Sequence, residues 1–464
     1  MPACSADNDV LKEGIDMFDF SGKKVMVVGM AASGISAARL LLKLGAEVTL
    51  YDAKPVLPDK LKGLQGKCRC IFEQDPSADV EEMDALVLSP GVPTRLEFIQ
   101  KAYAFGKYVI AEIELGFQTS RAGFVCISGT NGKTTTTALT GEIFKNAGIN
   151  TYVLGNIGVP ICEKSAETKN GDIVVAETAA LQLETVDTFK PRAAALLNIT
   201  EDHMDRFLTM EYYTACKMKM FENQDSSDYA VFNYDDETVR EQAKNIKSNA
   251  VFFSRKQKVT GAYVEAGRIV FEYCGKKNDI CGADEVYIPG NHNLENALAA
   301  VCLASVMGIS PKVIAYTLKT FKGVEHRIEF VKTVNDVDFI NDSKGTNPDA
   351  TIKAIQAMKK PTVLILGGFD KHSEFDTMFK AFTPMIKGAV ILGQTRDKIR
   401  AAADANGFDN YELAETFEEA VKKAYKMAQK GGTVLLSPAC ASWGMFKNFE
   451  ERGKVFKEIV ANLR

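Results

Sequence analysis

Along its length the chain alternates short runs of aliphatic and β-branched residues with longer amphipathic stretches, the pattern of strands separated by helices. The apolar run at 23–30 (KKVMVVGM) predicts a strand, the spacing from Ser33 to Leu44 a helix, and the runs at 46–53 and 85–89 two further strands. The last of these ends at Pro90 and Gly91. Such a succession makes a small doubly wound unit, whose ligand would lie at the carboxyl ends of the strands. A second α/β block opens near Gly123, with strands expected at 124–128, 151–154, 172–177, 193–199 and 229–233. Between 250 and 289, short runs broken by Gly261, Gly267, Gly275 and Gly282 predict an antiparallel meander. Helix then returns. A third alternation begins near 336, with strands at 338–342, 362–368, 389–393 and 433–437.

The stretch from Phe124 to Ala138, FVCISGTNGKTTTTA, is a predicted strand, a glycine turn, and a lysine with threonines opening a helix. Gly129 and Gly132 let the intervening Thr130 and Asn131 turn their N–H groups toward phosphate oxygens. The helix N-terminus adds partial positive charge, and Lys133 can reach terminal phosphates. Thr134 or Thr135 offers a hydroxyl to Mg²⁺. The usual phosphate-loop pattern has a further glycine where this chain has Ile127, so the loop is a tightened variant, GTNGK. The expected fold class is therefore α/β with three domains: Rossmann-like over 1–111, a central P-loop α/β ATPase domain with a small antiparallel meander over 112–323, and a Rossmann-like α/β domain over 324–464.

Candidate chemistry clusters around that loop. Glu177 ends the predicted strand DIVVAET, where a carboxylate beside a phosphate loop commonly holds Mg²⁺; the alternative is a solvated strand-end acid. Glu201-Asp202-His203-Met204-Asp205-Arg206 follows another strand and suits a second Mg²⁺ with bound phosphates, or else a charged helix start. In the helix predicted over 210–222, Lys217 has Tyr213 and Phe221 at four-residue spacing, whereas Lys219 has Ala215 and Asn223 and is expected toward solvent. Burial on the aromatic stripe would lower the Lys217 pKa and leave an amine able to act as a nucleophile or take up CO₂ as a carbamate; the alternative is a lysine snorkelling from the core face. In the first domain, the turn Gly29 to Gly34 resembles a dinucleotide fingerprint with Ala31 in place of its second glycine, and Asp52 closes the next strand. That favours a nucleotide other than NAD, or a packing turn with no ligand.

A net charge of −4 removes the electrostatic case for nucleic acid or an anionic membrane surface as partner. No apolar run approaches the roughly 20 residues of a membrane span, and the first ten residues have neither a basic nor an apolar export region, so a cytoplasmic protein is expected. The ten cysteines form no CxxC pair and are expected to be reduced packing residues.

GTNGKTT at 129–135, Asn156 in GNIG, Glu177, NITEDHMDR at 198–206, Lys217, GNHNLEN at 290–296, and His326 with Arg327 together resemble the Mur ligase family of peptidoglycan synthesis, in family order over almost the whole chain. NDSKGTNPDA at 341–350, LGGFDKHSEF at 366–375 and LLSPACASWGMFKNFEERG at 435–453 resemble its D-glutamate-adding branch. The resemblance implies a monomeric ligase that uses ATP to join D-glutamate to UDP-N-acetylmuramoyl-L-alanine through an acyl phosphate, with two Mg²⁺ ions. Lys133, His203 and Lys217 would be catalytic, Lys217 as a CO₂-derived carbamate, and Thr134, Glu177, His203 and Lys217 would be linked to metal. ATP would contact residues 129–135 with Asn296, Arg327 and Asp342. The UDP-sugar would contact Ser33, Asp52, Lys54, Gly91 and Asn156. D-Glutamate would contact Thr346, Lys371, Ser442 and Phe449, where an ammonium and a hydroxyl suit its carboxylates.

Two stretches depart from the family pattern. Ala179-Ala180-Leu181-Gln182-Leu183 stands where Ser-Ser-Phe-Gln-Leu is common, and Trp443 stands beside Ser442 where an aliphatic residue is common. A lone tryptophan is ordinarily core. A nicotinamide dehydrogenase would leave Lys133 and residues 201–206 without a role, and a phosphate-loop switch would explain 129–135 alone.

Overall fold

The computed structural model describes residues 17–56, 61–370 and 373–463, which form three sheets. In the first, β1 (Lys24–Val28), β2 (Glu47–Asp52), β3 (Arg69–Phe72), β4 (Ala85–Leu88) and β5 (Tyr108–Ala111) run parallel in the Rossmann-like order β3-β2-β1-β4-β5. Four of the five β1 residues are buried, so the strand reads as a continuous apolar run rather than an alternation. The chain then turns at Gly29, φ +90°, into the helix Ala32–Lys43. A Cβ on Gly34 would lie 1.8 Å from the Gly29 carbonyl oxygen, so the second glycine is there for close helix–strand approach.

The second sheet holds β6 (Gly123–Ser128), β7 (Thr151–Gly155), β8 (Ile173–Glu177), β9 (Ala193–Leu196), β10 (Tyr229–Asn233), β11 (Asn249–Ser254), β12 (Gly261–Glu265), β13 (Arg268–Tyr273) and β14 (Lys276–Gly282), ordered β14-β13-β12-β11-β10-β9-β6-β8-β7. The expected antiparallel meander is corrected at its first strand. Its first run, β11, is parallel to both β10 and β12, and only β12, β13 and β14 are antiparallel. These strands extend the central sheet. Gly267 and Gly275 close two-residue hairpins, as their positive φ allows. Gly261 instead marks the β11–β12 approach: a Cβ there would sit 2.0 Å from the Phe252 oxygen.

In the third sheet, β15 (Glu329–Val334), β16 (Val337–Asn341), β17 (Thr362–Leu366), β18 (Ile386–Ile391), β19 (Tyr411–Leu413) and β20 (Thr433–Leu436) are ordered β15-β16-β20-β17-β18-β19, with β15 as an antiparallel edge. The first two sheets belong to one compact unit, Met1–Tyr287 with His292–Phe321, and the third to another, Ile288–Asn291 with Lys322–Arg464. Among the described residues no helix is long and apolar enough to cross a membrane, and every cysteine is a free thiol.

Candidate active site

β6 is buried along its whole length, and beneath it Phe117 packs edge-on against Phe124 and Phe189 at 5.3 and 5.2 Å, which fixes the strand that delivers the loop. Gly129 leaves the strand at φ +151°, and Gly132, at φ +84°, caps the helix Lys133–Asn146. The loop is clamped from β9. Asn198 Oδ1 accepts from Asn131 N at 2.8 Å, Asn198 Nδ2 donates to Asn131 O at 3.0 Å, and Thr130 N donates to Asn198 O at 3.0 Å. Lys133 Nζ folds back onto the Gly129 and Thr130 carbonyl oxygens, both at 2.8 Å. Thr134 and Thr135 are both buried in the first turn.

A Cβ on Gly132 would stand 2.3 Å from Oδ1 of Asn296, which also accepts from Thr136 at 3.2 Å. Gly132→Ala therefore combines left-handed backbone strain of roughly 1–3 kcal/mol with displacement of a residue expected at the nucleotide. Titration with a fluorescent ATP analogue should show ~10-fold or greater loss of affinity, a difference of about 1.4 kcal/mol.

Glu177 ends β8, whose pairing sets it level with Ile127 on β6 and Gly155 on β7. The side chain is nearly sealed, at 3% exposure. Oε1 accepts from Asn156 Nδ2 at 3.0 Å, while Oε2 is buried with no hydrogen-bond partner among the described residues. A lone buried carboxylate oxygen is costly unless a cation or donor completes it.

Lys217 lies in the helix Met210–Met218, capped by Thr209 Oγ1 accepting from Tyr212 N. It is 1% exposed, with Nζ 4.4 Å from the centre of the Tyr213 ring and 3.1 Å from the Gly129 oxygen. Burial, reinforced by the positive charge of Lys133, brings its pKa down to about 7. Two lysines thus converge on one carbonyl of the phosphate loop, and one of them is held near neutrality. The solvent-facing expectation for Lys219 is corrected: the chain tightens there into a 3₁₀ turn, and Lys219 Nζ reaches the Glu184 carbonyl at 2.7 Å.

His203 follows Asp202, whose charge acts on Lys217. Its backbone is left-handed, φ 54°, ahead of the short helix Met204–Phe207, and its side chain is 54% exposed, 3.7 Å from Asp202. Among the described residues no three His, Cys, Asp or Glu side chains gather as a metal cluster. The donor set suits one Mg²⁺ through Glu177 Oε2 and a threonine hydroxyl; a second site is not preassembled around His203.

On the first sheet Asp52 binds its own surroundings, Oδ2 accepting from Met30 N at 2.7 Å and Oδ1 from Lys54 N at 2.9 Å. Ser33 is half-buried in the first turn of the following helix, while Lys54 and Gly91 are exposed. All four surround the strand ends between β1, β2 and β4, where an open parallel sheet binds ligands.

Beside the third sheet, Asp342 follows β16 and is buried, accepting from Ser437 Oγ at 2.7 Å and Ile328 N at 3.2 Å. Burial raises its pKa to about 6, against the pull of the Ser437 bond and the Arg327 charge. Arg327 Nε is buried without a partner among the described residues. Thr346 lies on the loop after β16, Ser442 on the loop after β20, and Phe449 opens the helix Phe449–Ala461 with Lys344 Nζ 5.6 Å from its ring centre. Lys371 lies outside the described residues.

Three family models match the chain: "Mur ligase MurD-like, N-terminal domain" over residues 23–111, "Mur ligase middle domain" over 127–304, and "Mur ligase, glutamate ligase domain" over 326–440. The UDP-N-acetylmuramoylalanine–D-glutamate ligase of Thermoanaerobacter pseudethanolicus is 49% identical over 452 residues, covering 96% of this chain and 100% of that one. The protein of the same name in Clostridioides difficile is 45% identical over 453 residues, with 96% and 100% covered. The chain belongs to the Mur ligase family. Solved Mur ligases share the fold at low identity. UDP-N-acetylmuramate-alanine ligase of Thermotoga maritima superposes with a TM-score of 0.59 at 19% identity, covering 95% of this chain and 99% of that one. MurF of Acinetobacter baumannii gives 0.59 at 15%, covering 91% and 86%.

Within this Mur ligase the two departures have physical outcomes. Ala179 caps the helix Ala180–Leu183 without a side-chain oxygen, and Gln182 Oε1 reaches back to accept from Ala179 N at 3.0 Å. Trp443 is not core: it is 50% exposed and meets Phe369 edge-on at 5.5 Å. The loop after β20 turns back immediately, with Phe446 N donating to Ser442 O at 3.0 Å, which buries Ser442 and leaves its neighbour outside. Two contacts onto the phosphate loop and one buried arginine of this Mur ligase escape sequence reading. Asn198 clamps the loop, and Tyr213 faces Lys217 while its hydroxyl lies 3.3 Å from Thr130 Oγ1. The fully buried Arg452 ties Ser343 to the Cys440 carbonyl. Asn198 lies in the motif at 198–206 and Tyr213 on the Lys217 stripe, but their partners on the phosphate loop follow from no local pattern, and an arginine in an amphipathic helix reads as surface.

Proposed function

We propose that this protein couples ATP cleavage to an amide bond between the carboxylate of UDP-N-acetylmuramoyl-L-alanine and the amine of D-glutamate, in the cytoplasmic assembly of peptidoglycan precursors. The observation that carries the reading is the buried, near-neutral Lys217 sharing the Gly129 carbonyl with Lys133 at a phosphate loop. The activity named for relatives matched over 96% of the chain supports it. The working domain limits are 1–111 for the UDP-sugar, 112–323 for ATP and 324–464 for the amino acid.

In this reading residues 129–135 and Asn296 hold the ATP phosphates, with Arg327 and Asp342 at the rest of the nucleotide. Lys133 leaves its loop carbonyls to neutralise the transferring phosphoryl group, so catalysis rests on positioning and electrostatics. Thr134 and Glu177 are the oxygen donors for Mg²⁺, and Asn156 keeps the Glu177 carboxylate oriented. Mg²⁺ supplies neutralisation of phosphate charge. Lys217 as an ammonium opposes a cation there; carrying a CO₂-derived carbamate, it becomes an anionic ligand. His203 would add its imidazole from the exposed segment that follows Asp202. Ser33, Asp52, Lys54 and Gly91 seat the uridine diphosphate, and Asn156 also meets the sugar substrate. Thr346, Lys371, Ser442 and Phe449 bind D-glutamate. The alanyl carboxylate is phosphorylated, the D-glutamate amine attacks the acyl phosphate, and phosphate leaves.

Phosphate release from ATP with the UDP-sugar tests the assignment. D-Glutamate should sustain turnover, while L-alanine, L-lysine and meso-diaminopimelate should not; equal rates with L-lysine would overturn it.

A further inference from the structure

Glu184 is a buried carboxylate outside the set of groups just assigned, and three parts of the molecule meet on it. It follows the helix Ala180–Leu183 and its side chain is 3% exposed. Oε1 accepts from Thr94 Oγ1 at 2.6 Å and from Tyr212 OH at 2.9 Å, and Oε2 pairs with Arg206 Nη2. Arg206 Nη2 also donates to Val92 O at 3.2 Å, and Lys219 Nζ donates to the Glu184 carbonyl at 2.7 Å.

The origins of these partners define what the cluster does. Val92 and Thr94 lie on the segment just after Gly91, beyond the end of β4 in the first sheet. Arg206 belongs to the stretch that begins at the loop clamp Asn198. Tyr212 is in the first turn of the helix that carries Lys217, five residues before it. An anion sealed from water and bonded by charge-assisted donors is among the stronger polar contacts available.

We propose that Glu184 is a positioning residue, which holds the segment after Gly91 in register with the Lys217 helix and so sets where a UDP-sugar on the first sheet presents its carboxylate to the phosphate loop. This rests on the substrate assignment above. Glu184 acts through Thr94, Arg206 and Tyr212.

Thr94→Val keeps the shape and removes one donor. It should raise KM for the UDP-sugar ~10-fold, the scale of one lost hydrogen bond to a charged group, while the ATP KM stays within about twofold. Thr94→Ser keeps the hydroxyl and should restore the parent KM. Glu184→Gln sets an amide N–H₂ against Arg206 and should raise the same KM and lower kcat. Calorimetric affinity for UDP-N-acetylmuramoyl-L-alanine alone, without ATP or D-glutamate, should weaken in both variants in the same order. An unchanged UDP-sugar affinity in Thr94→Val, an equal rise in the ATP KM, or failure of Thr94→Ser to rescue overturns the proposal. If the parent binds the UDP-sugar but releases no D-glutamate-dependent phosphate, the functional reading falls while the calorimetric comparison still decides the role of Glu184. A parent that does not bind the UDP-sugar overturns both.

Discussion

Lys217→Ala is expected to cut ligation by ~10²–10³-fold at ordinary bicarbonate, the range for removing a group that stabilises developing charge in a closed site. The side chain is sealed between Tyr213 and the Gly129 carbonyl, and its amine is held at about 7, so near neutral pH a substantial fraction is uncharged and can take up CO₂. A carbamate reverses the sign of the charge facing the phosphates. Truncation to Ala removes three methylenes and the amine beside that carbonyl, and a short carboxylic acid added to the mutant should fill the space and restore part of the rate, with acetate or propionate better than bulkier acids. Lys219→Ala, two residues on, gives up a bond to the Glu184 carbonyl and should cost at most ~10-fold. Steady-state phosphate release on the two variants, with and without added acids, decides the matter. Near-parental turnover of Lys217→Ala, or a larger loss in Lys219→Ala, would remove the carbamate from the mechanism.

Glu177→Gln should cost ~10²-fold or more in kcat and weaken dependence on Mg²⁺, because it replaces a buried anionic donor by a neutral amide without changing volume. In the parent Oε2 has no hydrogen-bond partner among the described residues while Oε1 is occupied by Asn156. Among the described residues, folding therefore leaves one oxygen of a buried carboxylate open to a cation. The same lack predicts a second readout: without its negative charge the site needs no counter-ion, so thermal stabilisation of the parent by millimolar Mg²⁺ should shrink in the variant. Asn156→Ala, which frees the orientation of the carboxylate but keeps its charge, should fall between the two. Equal Mg²⁺ titrations of parent and Glu177→Gln, followed both by activity and by unfolding temperature, would rule Glu177 out as the metal donor.

How far the site could be read in advance depended on whether a residue's role follows from its neighbours in the chain. The phosphate loop was legible because glycine at positive φ, a lysine at a helix start and a preceding buried strand are local requirements, met at Gly129, Gly132, Lys133 and β6. Lys217 was legible through helical spacing to Tyr213, although spacing alone left a snorkelling lysine open and burial decided against it. Lys219 was misplaced because the helix tightens after Met218, which rotates the side chain onto Glu184. Trp443 was misplaced because residue type predicts burial only on average, and a tight turn after Ser442 put it outside.

The strands showed the same division. Buried runs such as VMVV, VVAE and TVLIL announced themselves, since both faces of a parallel strand must be apolar. The edge strand β15, with a burial pattern mixed along its length, and the three-residue β19 did not. Nor did the direction of β11, because parallel and antiparallel partners ask for the same side chains and differ only in which strand lies alongside.

By itself, then, the sequence determined the α/β alternation, the phosphate loop, the candidate lysine and the family motifs, all of which rest on contacts within a turn or two of chain. Tertiary structure decided the rest. It joined the antiparallel strands to the central sheet, sealed Lys217 against Gly129, left Glu177 with an oxygen to spare, kept His203 exposed, and brought Thr94, Arg206 and Tyr212 onto Glu184. Burial and hydrogen-bond partners are properties of segments distant in sequence, and no local pattern encodes which of them will meet.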